Sequence, residues 1–481
     1  MIRADSRDFE IYAERQPDTH MVMPPTPNNR HSLALFTAFY ELTMAQAYWQ
    51  SGQTASATFS LFVRRQPTNR GYLVFAGLDG ILDFLDGFHY SAQDIDYLKS
   101  LQAFDPAFLE FLRNVRFTGS VRALEEGAIF FANEPAIEVT APIIEAQVVE
   151  NYLLNQVNLN TMLATKASRV IRAAKGRPVT EFASRRTPGL DAADTLARVS
   201  YMVGFSGTGN VYAAAHHGIP PAGTMAHSFV TSFEQEIEAF RAYARSFPDS
   251  SVFLVDSYDT IEGARNAVRV AKEMRDRGSE LAAIRLDSGE LRDLSSRCRA
   301  LLDEAGFPGV RILASGDLDE FQIEALIADG VPINGFGVGT KIGTSEDAPW
   351  TDVVYKLVEY QGSPILKLSP GKETLVGRKQ IFRFLDEAGE YFRDEIGLAD
   401  ESTAGEHVEP LLTTVMVDGA QQWSPRSLQQ LRSEFSDRVS RLPDRYKLLR
   451  APASYPVTTS DTLGTLQKRI AEQVKETTLG G

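Results

Sequence analysis

Between residues 250 and 340 two patterns alternate along the chain. Short β-branched apolar runs, SVFLVD (251–256), LAAIRLD (281–287), VRILASGD (310–317) and INGFGVGT (333–340), each end in polar residues. Between them, TIEGARNAVRVAKEMRDRG (260–278), GELRDLSSRCRALLDEAG (289–306) and LDEFQIEALIADG (318–330) repeat their apolar positions at helical spacing. Asp256, Asp287 and Asp317 close three of the strands, about thirty residues apart, the length of one strand–helix unit. Continuous apolar strands between amphipathic helices predict a parallel sheet covered by helices. Upstream, PVTEFASRR (178–186), GFSGTG (204–209) and PAGTMAHS (221–228) read as further strand ends. About seven such units predict an α/β protein built on an irregular βα barrel rather than an open doubly wound sheet.

The flanks differ in texture. ATFSLFVRR, GYLVFAGL and VRALEEGAIFFANEPAIEVTAP read as strands joined by short turns, and residues 145–174 as one long helix leading into the barrel. After about residue 375 strands return (RKQIFRFLD, GEYFRDEIGL), followed by the helix SLQQLRSEFSDRVSRL. The expected organisation is a polar tail (1–30), an α+β N-terminal domain (31–140), a catalytic barrel (141–375) and a C-terminal segment (376–481). The last packs with the N-terminal domain as one second α+β domain.

Reactive groups of a βα barrel gather at the carboxyl ends of its strands. Arg185, His227, Asp256, Arg285, Asp287, Asp317 and Thr340 all fall at such ends. A helix cap or a loop charge explains any one of them; seven at one end locate a site. ASGDLDE (314–320) turns from a strand into a helix and leaves backbone N–H groups free. GFGVGTKIGTS (335–345) brings Gly335, Gly337, Gly339 and Gly343 together with the hydroxyls of Thr340, Thr344 and Ser345, the composition of an anion nest. Arg285 and Asp287, two apart on a strand, face one side. Asp256 adds a carboxylate suited, with Asp287, to Mg²⁺ and a pyrophosphate. Phe182 offers a flat stacking face and Arg185 an anion clamp. Such a site suits an aromatic acid beside a phosphorylated sugar, with His227 at its rim as a phosphate-receiving or proton-shuttling imidazole.

Composition narrows the partners. The 481 residues carry a formal net charge of −14, which disfavours nucleic acid. No apolar run reaches membrane-spanning length, so no membrane partner is expected. The single Cys298 excludes an internal disulfide framework and fits the cytoplasm. His216 and His217, adjacent, point two ways on any regular element, so no structural zinc is expected there. There is no GxxxxGK[ST] phosphate loop, and GFSGTGN departs from dinucleotide-binding spacing.

LFTAFYELTMAQAYW (35–49), EFASRR, FSGTGN, GTMAHSF, VDSYD, IRLDSG, ASGD, GVGTKIGTS and VVYKLVE occur in one order from about residue 33 to beyond 380. In that order they closely resemble the nicotinate phosphoribosyltransferase family, of the type II phosphoribosyltransferase group. The resemblance implies synthesis of nicotinate mononucleotide and pyrophosphate from nicotinate and phosphoribosyl pyrophosphate, in NAD biosynthesis. It further implies coupling to ATP hydrolysis through a phosphohistidine at His227, with Mg²⁺ as cofactor. Tyr40, from the neighbouring subunit of a homodimer, and Phe182 are then expected around the pyridine ring, with Arg285 at or beside its carboxylate. Arg185 is expected on the pyrophosphate, Asp256 and Asp287 on ribose hydroxyls or Mg²⁺, and Gly316, Gly339 and Thr340 on the 5′-phosphate. Thr224, Ser228, Ser315, Asp317 and Gly337 complete the expected substrate contacts.

Nicotinamide-using relatives of this kind carry an acidic residue where this chain has Gly209, whose absence favours the acid. Quinolinate-using enzymes, a further rival, share the chemistry but are shorter chains and depend on more basic residues for a second carboxylate. Two positions depart from the family pattern: Ala38 replaces the usual aspartate and Ala183 the usual glycine. Three other rival readings are a nicotinamide-using enzyme, a non-catalytic paralogue that senses phosphoribosyl compounds, and a barrel aldolase with Lys341 as its Schiff-base lysine.

Overall fold

The computed structural model describes residues 31–367, 374–403 and 405–479. The tail expected at residues 1–30 lies outside them. Its catalytic half is a curled, wholly parallel six-stranded sheet. The spatial order is Gly207–Thr208, Val179–Glu181, Gly335–Val338, Arg311–Ala314, Ala283–Leu286, Val252–Leu254. The barrel is therefore open, with six strands rather than seven. The segment at 221–228 contributes one isolated bridge, Thr208 to Pro221. Pro220 and Pro221 lack the N–H groups a ladder needs, so no strand propagates. His227 instead begins the short helix His227–Thr231.

A seven-stranded sheet of antiparallel neighbours forms the second unit: Ser363–Pro364, Val353–Tyr360, Ser56–Val63, Pro135–Pro142, Ser120–Ala123, Thr413–Val417, Ala420–Gln421. N-terminal and C-terminal stretches thus share one sheet. Val353–Tyr360 pairs with Ser56–Val63, so the chain leaves the barrel soon after its last strand. A further sheet of four strands orders Val408–Pro410, Lys379–Leu385, Tyr391–Leu398 and Val457–Thr459.

The helix Glu150–Ala174 joins the two halves. Leu153 and Val157 lie in the core of the antiparallel unit, whereas Leu163, Ala167 and Val170 lie in that of the parallel sheet. On the same helix, Lys166 Nζ lies 2.7 Å from Asp347 and Arg169 Nε 3.0 Å from Glu320. Although burial alone would raise it, Arg70 and Lys166 hold the Asp347 carboxyl well below the usual carboxylate range. Removing one partner from a buried network of this kind costs about 3–5 kcal/mol. The loop carrying Thr340 is thereby fixed a few residues from its last turn.

Candidate active site

Asp256, Asp287 and Asp317 are not helix caps. The caps come two to three residues later: Asp259 accepts from Ile261 and Glu262 N–H, Glu290 from Arg292 N–H, and Asp319 from Gln322 N–H. The sequence supplies one acidic residue to cap each helix and a second, at the strand end, that caps none. A cavity of about 520 Å³ opens at this carboxyl end. Phe182, Arg185, Gly209, Thr224, His227, Arg285, Asp287, Ser315, Gly316, Asp317, Gly337, Gly339 and Thr340 all line it. Ser184, Arg186, Met225 and Ala226 line it too. The pattern singled out strand-end residues with obvious chemistry and passed over these four.

One network orients its polar wall. His227 Nε2 lies 3.3 Å from Asp256 Oδ1. A neutral imidazole that donates from Nε2 to this carboxylate has Nδ1 as its lone-pair nitrogen. Asp256 Oδ2 accepts from the Asp287 N–H at 3.0 Å and the Ser288 hydroxyl at 2.6 Å. Asp287 Oδ1 accepts from Ser315 Oγ at 2.5 Å and Arg285 Nη2 at 3.2 Å. Arg285 Nη1 donates to Thr224 Oγ1 at 2.6 Å, while its buried Nε has no acceptor among the described residues. Asp256 is thus a buried brace, its side chain 1% exposed, and is not part of the cavity lining. Both its oxygens are engaged, so of the expected Mg²⁺ pair only Asp287, with Oδ2 unused, keeps a free ligand atom at the cavity.

Opposite lie the anion-binding turns. The amides of Gly316, Asp317, Thr340 and Lys341 donate to no acceptor among the described residues. Gly316 has φ +92°, and a Cβ there would overlap the Asp287 carbonyl oxygen. Only glycine fits. Arg185 and Arg186 are exposed and make no ion pair among the described residues. The Phe182 ring is wedged between two glycines: a Cβ on Gly209 would lie 2.8 Å from one ring edge, and one on Gly337 2.6 Å from the other. Behind it, Glu181 is buried, which raises its carboxyl pKa, and it accepts from the Thr208 hydroxyl and the Ala183 N–H.

Two expected residues fall elsewhere. Ser228 is exposed on the helix of His227 and does not line the cavity; Tyr40 is exposed on the helix Phe39–Gln50, also away from it. Ala183 has no left-handed backbone and packs its methyl against Gly343, so the departure from glycine is accommodated. Ala38 leaves its helix without a side-chain cap. Lys341 pairs with Asp319 at 3.1 Å; burial opposes it, yet this carboxylate holds its ammonium above the usual lysine range. That is the wrong direction for a Schiff-base nucleophile, and the aldolase reading falls.

A parallel strand–helix sheet with arginines, unpaired loop amides and a carboxylate-braced imidazole at one end defines an enzyme of phosphorylated small molecules. Comparisons with known proteins make this specific. Residues 35–158, 178–395 and 403–467 match, in turn, the N-terminal domain, the family and the C-terminal domain descriptions of nicotinate phosphoribosyltransferase. A nicotinate phosphoribosyltransferase of Mycobacterium tuberculosis is 46% identical over 437 residues, 90% of this chain and 93% of its own length. That of Bacillus subtilis is 37% identical, covering 92% and 98%. The crystal structure of human nicotinic acid phosphoribosyltransferase superimposes with a TM-score of 0.82 at 30% identity, covering 90% of this chain and 99% of that one. The chain belongs to the nicotinate phosphoribosyltransferase family.

Proposed function

We infer that this chain condenses nicotinate with phosphoribosyl pyrophosphate, giving nicotinate mononucleotide and pyrophosphate, and couples the step to ATP. The observation that carries the reading is the braced His227 on the same cavity as Arg285, Phe182 and the glycine turns. Phe182 presents its face to the pyridine ring. Arg285, which lines the cavity beside Thr224, receives the carboxylate. Gly316, Asp317, Gly339 and Thr340 hold the 5′-phosphate through backbone N–H groups and hydroxyl, while Arg185 and Arg186 meet the pyrophosphate. The ring nitrogen bonds to the anomeric carbon as the bond from that carbon to the pyrophosphate oxygen breaks. The leaving pyrophosphate carries the charge that the arginines offset.

Mg²⁺, if bound, would neutralise pyrophosphate charge and would be held by Asp287 through its Oδ2, while Asp256 braces His227. With Nε2–H held by Asp256, Nδ1 attacks the γ-phosphorus of ATP, ADP leaves, and later hydrolysis of the phosphohistidine releases phosphate. The added negative charge reorganises the pyrophosphate end of the cavity and makes condensation more favourable. Gly209 places no carboxylate near the ring, which favours nicotinate over nicotinamide.

The active unit is a homodimer on this reading. Leu33, Phe36, Phe39 and Tyr40 are exposed close together in sequence, and Leu190 and Val211 are exposed within a few residues of the cavity residues Arg186 and Gly209. Such patches mark association surfaces, and a partner would bring Tyr40 to the cavity of its neighbour. No described helix is long and apolar enough to cross a membrane. Cys298 is buried, which pushes its thiol up to about 11, so it is inert as a nucleophile. Its lone, buried state fits a cytoplasmic enzyme. The test is pyrophosphate release with nicotinate, nicotinamide or quinolinate, with and without ATP. Release with nicotinate, raised by ATP, is expected; preference for nicotinamide, or none for any base, overturns the reading.

A further inference from the structure

Adjacent histidines on a regular element diverge, yet here both rings turn to one carboxylate. The helix Val211–His217 ends at these residues, and Gly218 behind them adopts a left-handed conformation, φ +67°. His216 Nδ1 lies 3.1 Å and His217 Nε2 2.9 Å from the same Asp194 oxygen on the neighbouring helix Leu190–Val203. The three donor atoms lie within 4.8 Å of one another. Asp194 Oδ1 is buried with no hydrogen-bond partner among the described residues, so one oxygen of this carboxylate is unsatisfied. With metal–ligand bonds of about 2.0–2.1 Å, neighbouring ligands on a tetrahedral ion lie about 3.3 Å apart. The two spacings to Asp194, 3.1 and 2.9 Å, need to open by only a few tenths of an ångström.

We propose that Asp194, His216 and His217 bind a borderline first-row divalent cation, Zn²⁺ by its donor set. Two imidazoles and one carboxylate select such ions over Mg²⁺ or Ca²⁺. Three protein ligands leave a fourth position to water, and half-exposed His216 provides the entry path. The ion ties together two helices whose N-terminal approaches carry Arg185 and Arg186 on one side and Gly209 on the other. It acts as a clamp outside the cavity, and the proposal does not depend on the reaction assigned to the site.

The test uses the full chain, free of any histidine tag and stripped by chelator, titrated with Co²⁺ as a visible-absorption probe. One Co²⁺ per chain is expected, displaced by Zn²⁺, with a rise in melting temperature on binding. His217→Gln keeps a hydrogen-bond donor for Asp194 while removing the ring ligand. It should weaken Co²⁺ at least tenfold, as should Asp194→Asn, with the metal-free melting temperature of His217→Gln close to that of the parent chain. If Asp194→Asn does not fold, His217→Gln decides. Absence of a Co²⁺ spectrum in the parent chain, or undiminished affinity in His217→Gln, overturns the proposal.

Discussion

Gly209→Ala is the sharpest probe of how the aromatic wall is set. The added methyl would stand 2.8 Å from Phe182 Cδ1, against ordinary carbon contacts of about 3.5–4.0 Å. The ring must yield by roughly 0.7 Å or more, and its far edge is blocked by the buried strand Gly335–Val338, where Gly337 already permits close approach. Overpacking of this size costs about 1–3 kcal/mol. Because Gly209 is exposed and the ring only half-buried, the cost falls on ring placement more than on folding. Converted at about 1.4 kcal/mol per tenfold, the KM for nicotinate should rise about 5- to 150-fold, with kcat less affected and the melting temperature nearly unchanged. Initial rates against nicotinate at saturating phosphoribosyl pyrophosphate measure this directly. Gly209→Asp adds charge to the same steric change; two carboxylates about 6 Å apart at an effective dielectric constant of about 20 repel by about 3 kcal/mol. Its further loss should fall on nicotinate and not on nicotinamide. A folded Gly209→Ala enzyme with KM within about twofold of the parent would refute the wedge.

Three other substitutions test separate parts. Gly316→Ala forces a side chain into a left-handed turn against the Asp287 carbonyl and should cost about 2–4 kcal/mol, read by denaturant unfolding, together with phosphoribosyl pyrophosphate binding. Burial pushes the Glu41 carboxyl up to about 7 despite the Thr37 and Ala38 donors. Its folded-state pKa lies above the unfolded value, so its contribution is fully present below about pH 4.5 and is lost as pH rises through about 7. Glu41→Gln should therefore unfold at higher denaturant than the parent at pH 8, the difference vanishing near pH 4.5. Ala38→Ser restores an N-cap oxygen and should add about 0.5–1 kcal/mol of stability by the same unfolding assay.

The strand–helix repeat was legible because parallel strands are apolar throughout and amphipathic helices are periodic, and Asp256, Asp287 and Asp317 mark that period. The missing seventh strand was legible too, in Pro220 and Pro221, but the small residues around them imitate a strand end. Asp256 shows the limit on roles: its place at a strand end is written in SVFLVD, whereas its burial beneath His227 depends on two residues thirty positions on, Asp287 and Ser288. Ser184, Arg186, Met225 and Ala226 reach the cavity through loop geometry that no periodicity encodes. Tyr40 is exposed on its helix beside Glu41 and lies outside the cavity lining of its own chain. His216 and His217 converge because a helix ends there, a detail set by Gly218 and by Asp194 on another element.

The most direct measurement follows the γ-phosphate of labelled ATP onto the protein. An acid-labile, base-stable phosphoryl group should form on His227, turn over only when both nicotinate and phosphoribosyl pyrophosphate are present, and be absent in His227→Ala, whose ATP-independent pyrophosphate release persists. Stoichiometric label in His227→Ala, or full ATP stimulation without any label on the parent enzyme, would contradict the account.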